Sequence, residues 1–273
     1  MAPAHLEGLG SIERVALAKA ELMDHVKQTM VLNADDLLFE NLASRCQIRV
    51  LSFGKSDGVD IRATHIEQGF TEGHFSLHMP GYAPLRVHLH LAGPAMISNA
   101  LAAAAAGFAA GISPDAIVSG LESVRSVPGR MYCIDTPGGI RLIDDTYNAN
   151  PGSMRAALSA LAPFCRERRI FLVLGDMFEL GEAAASLHRE IGREAGKTGA
   201  FRLWATGQYA ADVLSGAMEA GMGGEALMAG TPSDLVAGMK TLLAPGDWVL
   251  VKGSRGMRME TIVNDIRQWL QEG

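Results

Sequence analysis

Cysteine is scarce in this chain. Cys46, Cys133 and Cys165 are all it has in 273 residues, and no two form a Cys-x-x-Cys pair. An odd, scattered set of this kind excludes a disulfide framework and fits a reducing, cytoplasmic setting with the thiols as buried fillers. Basic excess is missing too: 24 Lys and Arg stand against 30 Asp and Glu, a formal net charge of −6 with no basic stripe, so no nucleic acid is expected as a partner. No basic stretch followed by an apolar one opens the chain, and the Ala-rich run Ala100 to Ala110 is too short and too weakly apolar to span a bilayer. No membrane segment is expected. A Walker-type phosphate loop is absent as well, because the nearest string, Gly54-Lys55-Ser56, would need a glycine where Arg49 stands.

What is present describes a globular protein with a sizeable core, 48% hydrophobic and 20% charged, and long enough for two ordinary domains. Ser11 caps an expected helix over 11–26, and Met30 to Leu32 reads as a short buried strand. The runs 48–53, 60–67, 74–79 and 85–91 are β-rich and broken by Gly, Pro and Asp, which predicts an antiparallel portion, followed by helices over 95–109 and 114–124. From about Arg130 the pattern alternates. Strands are predicted at 139–143, 169–174, 201–205, 225–228 and 247–252, with helices over 153–164, 184–198, 208–219, 232–243 and 257–271. This is the pattern of an α/β fold with a parallel sheet covered on both faces, and a hinge is expected near Pro128-Gly129. Gly221-x-Gly223-x-x-Ala226 matches a loose dinucleotide fingerprint, but a helix precedes it and a strand follows, the reverse of what that motif needs. His88-x-His90 would share a strand face, as metal ligands can; without a third ligand at sensible spacing it reads as a partly exposed strand face.

The chemistry concentrates in Leu142-Ile143-Asp144-Asp145-Thr146-Tyr147-Asn148-Ala149-Asn150-Pro151, where an apolar strand runs into two carboxylates, a phenol and two amides. Strand ends are where α/β proteins keep their ligands. The plainer reading is a turn with an Asx cap on the next helix. The segment resembles the Asp-Asp-(Ser/Thr)-Tyr-Asn-Ala-Asn-Pro motif of the Mur ligases. Other blocks follow in that family's order: Ala4-His5-Leu6-Glu7-Gly8 with Ala18-Lys19-Ala20-Glu21, Asn33-Ala34-Asp35-Asp36, Asn99-Ala100-Leu101-Ala102-Ala103, and Val127-Pro128-Gly129-Arg130. Gly175-Asp176-Met177-Phe178-Glu179-Leu180-Gly181 with His188, and Val251-Lys252-Gly253-Ser254-Arg255, complete the set. Their shared order over nearly the whole chain carries the likeness.

The resemblance implies ATP-dependent amide formation through an acyl phosphate, in the branch that adds D-alanyl-D-alanine to UDP-N-acetylmuramoyl-tripeptide. Residues 1–129 would be the C-terminal portion of a central, P-loop NTPase-like ATP-binding domain, and 130–273 a Rossmann-like C-terminal ligase domain. Because the family places its phosphate loop and UDP-binding domain upstream, the chain is expected to be the C-terminal part of a longer monomeric ligase, with Met1 an alternative start, and to be inactive alone. Two Mg²⁺ ions are implied, one held by Lys19 as its carbamate, an anionic oxygen ligand, with His5 as a further metal ligand. The catalytic set is Lys19, His188 and Lys252. Asn99, Arg130 and Asp145 match the nucleotide contacts, joined by Tyr147, Asn148 and Asn150. Asp176, Glu179, Ser254 and Arg255 fall to the substrate, with Lys252 and Arg255 on the dipeptide carboxylate. Gly93-Pro94-Ala95-Met96 departs from the family's Gly-x-His-Asn and leaves part of the adenine or phosphate contact open. Two rivals stand beside this reading: another Mur-type ligase or a folylpolyglutamate synthetase, which the Asp-Asp-Thr-Tyr block and the lack of an Asp-Asn-Pro-Arg motif oppose, and a non-catalytic binding fragment, which the absent phosphate loop favours.

Overall fold

Residues 14, 17, 18, 20–91, 93 and 95–272 are described by the computed structural model, and the chain folds as two compact units that divide after Arg125. Of the expected 11–26 helix, residues 11–13, 15, 16 and 19 lie outside the described residues; 14, 17, 18 and 20 are helical, and Glu21–Asp24 closes as a 3-10 helix. In the first unit alternation sets the sheet: β4 (Gly73–His78) buries Gly73, Phe75 and Leu77 and leaves His74, Ser76 and His78 partly exposed, as a strand with one face on a core must. The sheet runs in chain order through β1 (Thr29–Asn33), β2 (Arg49–Gly54), β3 (Ile61–Gln68), β4 and β5 (Leu85–Leu89). β3, β4 and β5 pair antiparallel, as expected, but β1, β2 and β3 pair parallel. The departure at β2 and β3 is a stagger in which only the end of one strand meets the start of the next, Phe53 with Ile61 and Gly54 with Arg62. Asp60 anchors this return, its Oδ2 accepting from the Ser52 backbone N–H at 2.8 Å and from the Ser52 hydroxyl at 2.7 Å.

α1 (Phe39–Arg45) joins β1 to β2. α2 (Ala95–Ala109) buries Ile97, Ala100, Leu101, Ala104 and Ala105, a helical stripe that packs with Leu51, Phe75 and Val87 into one core. α3 (Pro114–Ser123) starts on the Ser113 cap. Among the described residues no helix is long and apolar enough to cross a membrane. The Gly54-Lys55-Ser56 turn grips a carboxylate of its own: Asp35 accepts from the Lys55 N–H at 2.9 Å and the Ser56 hydroxyl at 3.0 Å.

In the second unit β8 (Ile170–Leu174) and β11 (Trp248–Lys252) are buried at every position, as central strands of a parallel sheet are. The order is β10 (Leu227–Ala229), β9 (Arg202–Ala205), β8, β11, β7 (Arg141–Asp145), β6 (Tyr132–Asp135), parallel except for β6. β6 lies where no strand was predicted. It is held in register by the bidentate Arg141–Asp135 pair, at 2.6 and 3.0 Å. α4 (Pro151–Leu161), α5 (Ala184–Lys197), α6 (Ala210–Glu219), α7 (Pro232–Leu242) and α8 (Glu260–Glu272) alternate with the strands. α4 and α7 begin on capping boxes, Asn150 with Ser153 and Thr231 with Asp234. The segment from Gly221 to Ala226 joins α6 to β10, so the loose fingerprint sits in a helix-to-strand connection. Cys133 is half-buried, and that burial pushes its thiol up to about 11, keeping it protonated.

Leu101 is fully buried in the first core. Leu101→Ala should cost that unit about 2–5 kcal/mol. Hydrogen exchange should report faster opening of β2 to β5 with β7 to β11 unchanged.

Candidate functional site

β11 pairs in parallel with β7 on one side and β8 on the other, so the C-terminal ends of the three strands lie together and Lys252 stands beside Asp145. Ligands bind at this edge of open α/β sheets. The Lys252 side chain is 2% exposed, and its Nζ donates to Asp145 Oδ2 at 2.6 Å and to the Asn148 carbonyl at 3.1 Å. A buried ammonium requires such partners. Asp145 Oδ1 accepts from the Met131 N–H at 3.0 Å. Asp144 accepts from the Gly129 N–H at 3.0 Å and the Thr146 hydroxyl at 2.6 Å. Together the two carboxylates tie residues 129–131 to the end of β7. Gly129 has φ +83°, and a Cβ there would lie 3.1 Å from the Tyr147 Cβ and backbone N, so only glycine fits. Arg130, between these ties, is exposed, with its guanidinium carbon 4.1 Å from the centre of the Tyr147 ring.

The loop after β8 is braced from behind. Asp176 is buried and accepts from the Gln208 N–H at 2.7 Å and the Tyr209 N–H at 3.1 Å. Gly207, at φ +112°, packs so close to this carboxylate that a Cβ would overlap it. His188 on α5 is buried: its Nε2 accepts from the Met177 N–H at 2.8 Å, so Nδ1 carries the proton and donates to the Ala184 carbonyl at 2.7 Å. Burial holds this imidazole below its ordinary range, against the opposing pull of the Ala184 carbonyl and the Asp176 carboxylate. Ser254 Oγ accepts from the Phe178 N–H at 2.8 Å and donates to the Ala149 carbonyl at 3.3 Å, joining three loops. These ties leave a cleft of about 290 Å³ lined by Tyr147, Asn148, Asn150, Phe178, Glu179 and Arg255 among others. The first unit has a hollow of its own, of about 510 Å³, lined by residues 25–29, Val31, Ala106, Ala109 and Ala110.

Several of the expected site residues have defined partners in the structure. Lys252, expected in catalysis and on the dipeptide carboxylate, is spent on Asp145 because strand register sets the two side by side. His188, expected in catalysis, has both ring nitrogens bonded to backbone and serves to position the 176–178 loop. Asp176, expected at the substrate, closes the 207–209 turn. Asn150 caps α4, its Oδ1 accepting from the Ser153 N–H at 2.9 Å, and Asn148 accepts from the Ala149 N–H at 2.9 Å. Arg130, Tyr147, Glu179 and Arg255 are exposed around the cleft, and Arg255 stands 3.8 Å from Glu260. Asn99 stands exposed on α2 in the first unit. His5, Lys19 and Pro94 lie outside the described residues. Asp144, Phe178 and the Gly207 turn were not singled out from sequence, although Asp144 and Phe178 belong to the blocks that were.

Two family models match the sequence: the Mur ligase middle domain over residues 1–107 and the Mur ligase glutamate ligase domain over 129–255. The chain belongs to the Mur ligase family. It is 36% identical to the UDP-N-acetylmuramoyl-tripeptide–D-alanyl-D-alanine ligase of Escherichia coli K12, with 98% of this chain and 59% of that ligase covered. The Bacillus subtilis protein of the same name is 31% identical, with 96% of this chain and 56% of that protein covered. The crystal structure of MurF from Acinetobacter baumannii superimposes with a TM-score of 0.85 at 32% identity, over 97% of this chain and 57% of that one. The chain thus spans somewhat over half the length of the relatives it matches.

Two outcomes follow for this Mur ligase chain. Lys252→Met leaves Asp145 buried without its counter-charge, and should destabilise the second unit by about 3–5 kcal/mol; adding Asp145→Asn should recover part of the loss. Urea unfolding followed by Trp204, Trp248 and Trp269, all in this unit, measures both. For His188, the folded state holds the imidazole below its unfolded value of 6.5, so its contribution is complete above that value and is lost as pH falls toward the folded one. The urea midpoint should drop below pH 6.5, and His188→Gln should flatten that drop.

Proposed function

We propose that this chain carries the nucleotide-facing and dipeptide-facing parts of a cytoplasmic, monomeric ligase. The ligase joins D-alanyl-D-alanine to UDP-N-acetylmuramoyl-tripeptide, driven by ATP, in peptidoglycan precursor synthesis. The observation that carries the reading is the cleft at the ends of β7, β8 and β11, with exposed guanidinium groups on a rigidly tied rim. Every substrate of this reaction carries a carboxylate or a phosphate, and guanidinium forks suit the oxygens of both. The identity to the E. coli and B. subtilis ligases supports the choice within the family.

In this reading Arg130 and the Tyr147 ring form the nucleotide platform. Asp145 uses two of the roughly four acceptor positions of a carboxylate on Met131 and Lys252, which leaves capacity for ribose hydroxyls, and Asn99 serves the adenine end. Arg255 receives the carboxylate of the dipeptide, and Glu179 on the same cleft draws its amino end. Ser254, Asp176 and His188 hold the loops that present these groups, and Asn148 and Asn150 shape the turn between them. ATP activates the tripeptide carboxylate, and the amine displaces phosphate from it. Mg²⁺ ions, when bound, neutralise the phosphoryl group in transfer; His5 and carbamoylated Lys19 are the residues proposed to hold them.

Backbone amide shifts of the 1–273 chain should move at Phe178, Ser254 and Arg255 on addition of D-alanyl-D-alanine, and L-alanyl-L-alanine should leave them in place. Arg255→Ala should abolish the dipeptide response, whereas Arg130→Ala should weaken only the response to ADP. Identical responses to the two dipeptides, or none, would overturn the assignment. Lacking a phosphate loop to hold the β- and γ-phosphates, the chain alone should release no phosphate from ATP with both substrates present.

A further inference from the structure

Outside the cleft, the described residues place four ligand-type side chains on one outward face of the first sheet. β4 and β5 pair with His74 directly opposite His88 and Gly73 opposite Leu89, and one further step of this register sets Glu72 opposite His90. Residues two apart in an extended run share a face, so Glu72 just before β4 and His74 on it, with His88 on β5 and His90 just after it, form a square. Their neighbours Phe75, Val87 and Leu89 point the other way, into the core, so the arrangement is set by the same alternation that builds the sheet. The third ligand missing from the linear spacing of His88-x-His90 is supplied across the hairpin by Glu72.

The side chains already converge. Ligand atoms of Glu72, His88 and His90 all lie within 4.8 Å of one another, and His88 Nε2 is 2.9 Å from Glu72 Oε2. The rings of His88 and His90 have centroids 4.1 Å apart, and His74 stacks on the other side of His88, also at 4.1 Å. The backbone under the site is fixed as well: Glu122 at the end of α3 accepts from the His88 N–H at 2.9 Å, and the Gly69 N–H bonds to the Glu72 carbonyl at 2.9 Å, closing the β3 to β4 turn.

We propose that Glu72, His88 and His90 bind one divalent transition-metal ion of the zinc class, with His74 positioning the His88 ring. Two imidazoles and one carboxylate are a donor set suited to Zn²⁺, and three protein donors leave a coordination position for water or an external ligand. The ion takes the place of the hydrogen bond between His88 Nε2 and Glu72 Oε2, the ring keeping its hydrogen on Nδ1. It ties the edge strand β5 to the β3 to β4 turn. The site is independent of the ligase reading and stands or falls without it.

The test is titration of the metal-free, untagged chain with Zn²⁺ by calorimetry, and with Co²⁺ by visible absorption, in a buffer that does not chelate. Saturable binding of one ion per chain is expected, with a rise in thermal midpoint. His88→Gln with His90→Gln should abolish it, Glu72→Gln should weaken it, and His74→Ala should weaken it by about tenfold, as loss of a ligand-orienting group does. His25→Ala and His65→Ala should leave it intact. Circular dichroism of the metal-free variants checks that they remain folded, and a Co²⁺ spectrum of the unaltered chain gives the coordination without any substitution. No saturable binding, binding spread over several ions, or binding that survives the double substitution overturns the proposal.

Discussion

The buried contact between Lys252 and Asp145 is the constraint on which the second unit's site depends. Neither charge is tolerable alone at that depth, so each forces the other into place, and the loops that carry them follow. Asp145 thereby brings residue 131 to the end of β7, and Lys252 brings in the Asn148 carbonyl. Ser254, two residues on from Lys252, then reaches the loops at Ala149 and Phe178. An ion pair of this kind adds little net stability compared with apolar packing, but it sets geometry, which a ligand site needs most.

Charges in this chain sort by depth. Those at depth, Asp144, Asp145, Asp176, His188, Asp247 and Lys252, are bonded to backbone, to a neighbouring side chain or to each other. Those at the surface of the same loops, Arg130, Glu179 and Arg255, are exposed, and Arg255 faces Glu260 at 3.8 Å. In the first unit exposed carboxylates are tied up too, with Asp60 holding Ser52 and Asp35 seated in the Gly54-Lys55-Ser56 turn.

Much of the architecture was legible because it is written locally. The helices over 95–109 and 114–124 and the strands at 169–174 and 247–252 form within a residue or two of where the residue pattern puts them. The short β6 was missed because its register comes from Arg141 and Asp135, a partnership formed only on pairing with β7. The parallel stagger of β2 and β3 was missed for the same reason. The block around Asp145 was legible as a strand end running into a polar loop, but the partners within it were not. Nothing local reveals that Lys252 lies beside a residue 107 positions earlier, or that the His188 ring is occupied on both sides by backbone. Glu72 escaped notice for a like cause, being next to His88 only through a hairpin.

Strand order carries one more consequence, for the time course of folding. β11 sits between β7 and β8 in the sheet although it follows both β9 and β10 in the chain. During synthesis β7 and β8 therefore emerge with a gap between them that no earlier strand fills, and their facing edges stay unpaired until the final strand arrives. Contacts of such long sequence separation form late and slowly, and unpaired edges invite association with other chains. The nascent second unit is thus most vulnerable to aggregation in the interval before Trp248 to Lys252 clears the ribosome. Chaperone dependence should track that interval rather than the stability of the finished fold.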